Sequence, residues 1–394
     1  MVCLQLVIFR FQEMPFGKIT TNAAGETIYK WGFVSTKATN DGFVDGWARW
    51  NFTGYEGKSA YAEYRAVVET MKNIGQDPNL GCGRALWENN GELNKYGTTM
   101  SLMLLPHWTK GCIGSMEGLN FEAAGTTPYH FITAAAMSKQ SSNPVRELRY
   151  DDNNAGLGVR YLQELGVRYY MAFTAEAINQ ANMQAALVKV AQSGPWVIYK
   201  VEASDLVVPM SVQPVIVTSK VGDPKERWLE IGTSWFQHPE DWAAVPVASG
   251  PESWQKVEAI VDLNRRQGEP TDSSRRVDIV KPSETINKVE LPAVQVSNTV
   301  LEDEAISFTV DKIGVPVLVR MSYFPNWKVE NAEGPYRVAP NMMVVIPTSK
   351  EVRLHYGYSF IDFFAYFMTF LGVATMAVRW RGRQVERNRK LLSR

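Results

Sequence analysis

The chain has 394 residues, enough for about two soluble domains, and carries 41 Lys plus Arg against 41 Asp plus Glu. That balance lacks the overall basic excess favoured by nucleic-acid binding, so no nucleic-acid partner is expected. No P-loop, dinucleotide fingerprint, HExxH or G-x-S-x-G occurs, and the four histidines are scattered without metal spacing, so neither cofactor nor metal is expected.

The N-terminal stretch "MVCLQLVIFRFQEMPFG" has no basic n-region, and its apolar run from Val2 to Phe9 is too short to span a bilayer. We read residues 1–49 as a membrane-edge segment and lead-in, with Val2 to Phe9 the outer end of a preceding helix that belongs to a longer, multi-spanning protein. From Ala60 to Met71, Tyr61, Tyr64, Val67, Val68 and Met71 recur at helical spacing. "GRALWE", "TTMSLMLLPHW" and "VRYYMAF" read as buried strands or short apolar segments. "GVRYLQELGVRYYMAF" reads as a helix that stops at Gly166 and feeds a strand, and "EAINQANMQAALVKVAQ" as a further helix before the strand "WVIYKV". Alternating helices and strands make residues 50–205 an α/β domain with a mixed sheet.

From Val207 onward, short strands are separated by Pro, Gly, Asp and Asn, and residues 206–358 read as an all-β sandwich. Asn264 to Ser283 is polar and turn-rich and reads as a long surface loop. The segment 359–394 is different. From Phe360 to Val378 run 19 residues with Asp362 as the single charge, and at ~1.5 Å per residue they match the ~30 Å bilayer core. Ser359 and Asp362 form an N-cap pattern with an acid in the first turn. Arg379, Arg381, Arg383, Arg387, Arg389, Lys390 and Arg394 follow against the single acid Glu386, which places the tail on the cytoplasmic side by the positive-inside rule. The expected fold class is therefore α+β: a mixed α/β extracytoplasmic domain, a β-sandwich and one C-terminal transmembrane helix in the plasma membrane.

Cys82 ("GCGR") and Cys112 ("GCIG") sit in similar Gly-flanked turns and are the natural disulfide pair in an oxidising compartment; two unpaired thiols are the alternative. Cys3 is left at the membrane edge. The densest cluster of chemistry is Leu102 to Phe131, with His107, Trp108, Glu117, Glu122, Tyr129 and His130 among Gly, Pro and Thr. Acids, imidazoles and aromatics in turns can hold a sugar by stacking and hydrogen bonds, and paired carboxylates can do acid–base work. The alternative is a tethered loop whose polar groups satisfy its own backbone. "DDNN", Asp151 to Asn154, lacks EF-hand spacing and reads as a solvated turn. Asn51-Phe52-Thr53 is a sequon, which matters only in a glycosylating secretory pathway.

"WARWNFTGYEG", "MLLPHWTKGCIGSMEGLNFEAAGTTPYHF", "LGVRYYMAF", "SYFPNWKV" and "HYGYSFIDF" together resemble the extracytoplasmic C-terminal part of large actinobacterial multi-spanning membrane proteins. Those are similar to YfhO-type and other GT-C-fold glycosyltransferases and often carry the label "6-pyruvoyl-tetrahydropterin synthase-related". Pterin chemistry does not follow, because that synthase needs a zinc-binding histidine set and these four histidines do not supply one. The resemblance implies a part of a polyprenyl-phosphate-sugar-dependent enzyme of cell-envelope polysaccharide assembly, one that binds or positions a glycan acceptor. Its catalytic acid and lipid groove belong to upstream helices or another subunit, so no catalytic residue transfers onto this sequence. "SYFPNWKV" departs from the related "YFPGWKA"-like strand by Asn326 in place of Gly. The alternative to this reading is a non-enzymatic cell-surface binding or scaffold module.

Overall fold

The computed structural model describes residues 17–37, 49–117, 125–218, 224–266 and 276–392. The Val2 to Phe9 run and Cys3 lie outside these residues. A small antiparallel sheet comes first: β1 (Lys18–Thr21), β2 (Thr27–Trp31) and β3 (Val34–Lys37).

The helical spacing after Ala60 produces helix Tyr61–Gln76, with Tyr64, Val67, Val68, Met71 and Ile74 on its buried face. It covers one side of a five-stranded sheet built from β4 (Gly83–Trp87), β5 (Ile113–Ser115), β6 (Val167–Ala172), β7 (Leu187–Ser193) and β8 (Trp196–Val201), in the order β5-β4-β6-β8-β7. The first three strands are parallel and the last two antiparallel. Side chains alternate between faces along a strand. Tyr169, Met171, Trp196 and Ile198 accordingly pack under helix Tyr61–Gln76. Tyr170, Ala172, Val197 and Tyr199 pack under helices Thr127–Ala136, Ala155–Glu164 and Ala175–Asn182 on the other side. Both faces of β4, β6 and β8 are covered, which is why these strands read as largely apolar runs, while the edge strand β7 is mostly exposed or half-buried.

Gly166 does end the helix it follows. It adopts φ +62° just after helix Ala155–Glu164, a left-handed conformation that glycine takes without a Cβ penalty. Two local expectations are corrected. The stretch "TTMSLMLLPHW" forms helical turns at Ser101–Leu104 and Leu105–Trp108, with Pro106 at the start of the second, where its fixed φ suits a helix. The helix expected to run into "LVKVAQ" stops at Asn182, because Gly194 and Pro195 close a two-residue turn between Ser193 and Trp196 that pairs β7 with β8 as a hairpin.

Beyond residue 205 come β9 (Val207–Pro209), β10 (Val215–Thr218), β11 (Pro246–Val247), β12 (Lys256–Val261), β13 (Val280–Pro282), β14 (Val296–Leu301), β15 (Ala305–Val310), β16 (Val317–Val319), β17 (Trp327–Glu330), β18 (Ala332–Val338), β19 (Met342–Pro347) and β20 (Glu351–Tyr356). They form an eight-stranded sheet, β13-β12-β10-β11-β18-β19-β16-β9, and a four-stranded sheet, β14-β15-β20-β17. A sandwich core exists where Ile306, Phe308, Val352 and Leu354 of the smaller sheet meet Val317, Val319, Met343 and Val345 of the larger. The rest departs from an all-β reading. β10 pairs in parallel with both β11 and β12, and helix Pro224–Gln237 buries Trp228, Ile231, Trp235 and Phe236 in the core that also holds Tyr161 and Leu162. β19 explains the fusion: Met342, Val344 and Ile346 enter this large core while Met343 and Val345 enter the sandwich. Part of the expected surface loop, β13, is instead an edge strand on β12; residues 267–275 lie outside the described ones.

The chain closes with helix Phe360–Leu392. Its segment Phe360–Val385 is long and apolar enough to cross a membrane, and none of its most apolar window is buried. A soluble core helix of this kind would be covered; this exposed apolar helix has the form of a membrane anchor.

Candidate functional site

Among the described residues, a cleft lies beside the N-terminus of helix Tyr61–Gln76. It has a volume of about 220 Å³ and is lined by Trp50, Asn51, Gly54, Tyr55, Lys58, Gly97 and Thr98. Trp50 and Asn51 come from the helical turn Arg49–Phe52. The Lys58 ammonium donates to the Trp50 carbonyl and lies 4.0 Å from the centre of the indole ring, a cation–π contact that holds the turn against the segment leading into the helix. Gly97 caps a 3₁₀ turn, Gly91–Tyr96, at φ +111°, and a Cβ there would come within 3.0 Å of Lys58 Cε. Glycine thus permits the backbone to approach Lys58 and form the cleft wall.

Behind the cleft runs a continuous aromatic array. Tyr55 stacks on Tyr64 at 5.1 Å, and Tyr64 Oη accepts from Trp108 Nε1 at 2.9 Å while donating to the Ser101 carbonyl at 3.0 Å. Burial pushes the Tyr64 hydroxyl up to about 12, so it stays a neutral donor. Tyr96 lies 5.6 Å from Tyr64, donates to Glu63 and accepts from Trp196 Nε1 at 2.9 Å. Lys95 completes this rim, 2.6 Å from Glu63 and 4.9 Å from the Phe173 ring. Burial raises the Glu63 carboxyl, but the hydrogen bonds from Lys95 and Tyr96 outweigh it and hold the group below its usual range. Trp50 remains 48% exposed at the mouth, which leaves indole surface available to a ligand.

The residues expected from the sequence divide into two places. His107 and Trp108 are exposed beside this array, with ring centroids 4.7 Å apart, although neither lines the cleft. Glu117, Tyr129 and His130 are interior. His130 Nε2 and Glu117 Oε1 are 2.7 Å apart with both side chains buried, and Glu117 Oε2 has no hydrogen-bond partner among the described residues. Tyr129 packs edge-on against Phe236 at 5.5 Å. Glu122 lies outside the described residues. Cys82 and Cys112 are bonded, with their Cα atoms 4.7 Å apart, and Gly75 of helix Tyr61–Gln76 runs so close that a Cβ would meet Cys112 Sγ at 2.6 Å. Asn154 of "DDNN" is a helix N-cap, accepting from Leu157 N at 3.3 Å, and no group of metal-ligating side chains is found among the described residues.

Sequence reasoning did not name Trp50, Tyr55, Lys58 or Thr98. The signal available was the aromatic, Gly-punctuated phrase "WARWNFTGYEGK", but its contact with Gly97 and Thr98 is tertiary. No known family model, curated protein or solved structure matches this chain.

Proposed function

We propose that this chain is the extracytoplasmic, membrane-anchored part of a GT-C-like glycosyltransferase system of cell-envelope polysaccharide assembly, and that it binds or positions the glycan acceptor without transferring sugar itself. The observation that carries the reading is the composition of the cleft. Trp50 and Tyr55 offer aromatic surface for the apolar face of a sugar ring, while Asn51, Lys58 and Thr98 offer an amide, an ammonium and a hydroxyl for its hydroxyl groups. A volume of about 220 Å³ is below the ~300–1,000 Å³ of drug-sized pockets and suits a single saccharide unit or chain end. The phrase "WARWNFTGYEG", which carries part of the family resemblance, supplies four of the seven lining residues.

The non-catalytic assignment follows from what transfer requires. A lipid-phosphate donor needs a carboxylate to activate the acceptor, cations for the developing phosphate charge and a lipid-lined groove. The one anchor helix among the described residues forms no such groove, so in this reading donor site and acid come from upstream helices or another subunit. In this arrangement the soluble domains stand outside the plasma membrane and the Arg-rich tail lies in the cytoplasm.

Calorimetric titration of the detergent-solubilised chain with cell-wall oligosaccharides tests the reading. Trp50→Ala is expected to weaken binding at least tenfold while lowering stability only by the ~0.5–1 kcal/mol of an exposed cation–π contact, with the cooperative melt retained. Absence of binding by the unaltered chain, or equal affinity in the variant, supports the rival scaffold module. Sugar transfer by the isolated chain would overturn the non-catalytic assignment.

A further inference from the structure

The sandwich core is not sealed at the end where the anchor begins. On β20, Val352 and Leu354 point into that core, and two residues further the same face presents Tyr356, which is 41% exposed. Its cross-strand partner is Trp327 of β17, at 5.9 Å and edge-on, and Phe324 stacks on Tyr356 at 6.0 Å while remaining 51% exposed. The inner face of the four-stranded sheet therefore runs out past its covering and ends in three aromatic rings.

Those rings are rigidly joined to the anchor. Asn326, directly before Trp327, donates its side-chain amide to the Gly357 carbonyl and to Asp362 Oδ2, both at 3.0 Å. The same carboxylate oxygen accepts from the Ser359 backbone N–H and hydroxyl, each at 2.6 Å. Tyr358 continues the aromatic surface onto the helix, edge-on to Phe363 at 6.0 Å and to Tyr366 at 5.9 Å. If the apolar run begins at Phe360, it spans roughly 28 Å at ~1.5 Å per residue before Arg379, Trp380 and Arg381, which matches the bilayer core. Phe324, Tyr356 and Tyr358 then fall at the depth of the lipid headgroups, the place where amphipathic rings are favoured.

We propose that Phe324, Trp327, Tyr356 and Tyr358 form a lipid-contacting seat, so that the sandwich end of the soluble region rests in the headgroup layer of the bilayer that helix Phe360–Leu392 crosses. The occupant is the bilayer because the exposed rings are continuous with a helix that is itself lipid-sized and because Asn326 and Asp362 leave the two surfaces no hinge between them. Trp380, between two arginines at the far end, supplies the matching aromatic on the other side. This inference rests on the anchor and not on the glycan reading. It sets the height at which every other part of the soluble region stands above the membrane.

The test uses the full chain in phosphatidylcholine nanodiscs, in a Cys3→Ser background, with a nitroxide attached at F324C. A second sample carries the label at I313C, 54% exposed in the turn after β15, at the end of the sheet away from Tyr356. Both positions are exposed, so neither label disturbs the core, and unchanged melting checks this. The expected result is an oxygen-to-nickel-chelate accessibility ratio severalfold higher at 324 than at 313. Equal access of the chelate to both labels overturns the seat, and so does shielding of the 324 label from both reagents, which would mean that protein and not lipid covers the rings.

Discussion

Trp108 donates its indole N–H to the Tyr64 hydroxyl at 2.9 Å, and the Tyr64 ring lies under Tyr55, the aromatic floor of the cleft. Trp108 thus acts on the cleft from behind it. Trp108→Phe keeps an aromatic ring but removes the donor. We expect a loss of about 0.5–1.5 kcal/mol in unfolding free energy, the usual worth of one such bond, with glycan affinity reduced two- to fivefold as Tyr55 loses its support. Denaturant unfolding and titration on the same sample check both, and an unchanged affinity would detach Trp108 from the cleft.

Gly232 reverses an ordinary helix rule. Replacing a helical glycine by alanine normally stabilises by about 1 kcal/mol. At Gly232 the added Cβ would stand 2.1 Å from Tyr129 Oη and 2.8 Å from the Pro340 carbonyl, and the latter is backbone that cannot swing aside. Gly232→Ala is therefore expected to destabilise by roughly 1–3 kcal/mol, read as a lowered melting temperature.

The Cys82–Cys112 bond closes a loop between residues 30 apart in sequence. In the chain-entropy account a loop of this length stabilises by about 3–4 kcal/mol. Cys82→Ser with Cys112→Ser should lower the denaturant midpoint of the α/β region by that equivalent, and reductant should lower the unaltered protein to the same midpoint while leaving the double variant unmoved.

His238 makes a pH-dependent contribution. Arg265 Nη1 donates to His238 Nδ1 at 3.1 Å, which requires that nitrogen to be unprotonated. Burial, followed by the charge of Arg265, holds the imidazole below its usual value, and these outweigh the opposing pull of Glu240 and Asp241. The unfolded chain then binds this proton more readily than the folded one. Stability from this site is complete above about pH 6.5 and falls as pH drops towards the lowered folded value. Because His238 is partly open to solvent, the slope should be shallow. Its removal in His238→Asn, measured by unfolding between about pH 7 and 5, is the expected signature. The Glu240 and Asp262 carboxyls, which are also held low, lose their contributions only in the more acidic range.

How much of this was legible follows from the range of each interaction. The anchor was readable because a membrane span depends on local length and apolarity alone, and Phe360 to Val378 supplies both. The helix stop at Gly166 was readable because a left-handed turn is a property of one residue, and the Cys82–Cys112 pair because only three cysteines competed. Helix Pro224–Gln237 left a trace, Trp228, Ile231 and Trp235 at helical intervals, that was lost among β-rich neighbours. The division of β19 between two cores has no sequence mark, since a strand buried on both faces reads the same whatever covers each face. The same holds for the sites. Acids and aromatics between His107 and His130 were visible by type, yet only packing decided that Glu117 and His130 pair inside the protein while His107 and Trp108 stay at the surface. The cleft itself needed Trp50 and Thr98 brought together across 48 positions of sequence, an encounter set by how helix Tyr61–Gln76 lies on its sheet and by no property of either residue.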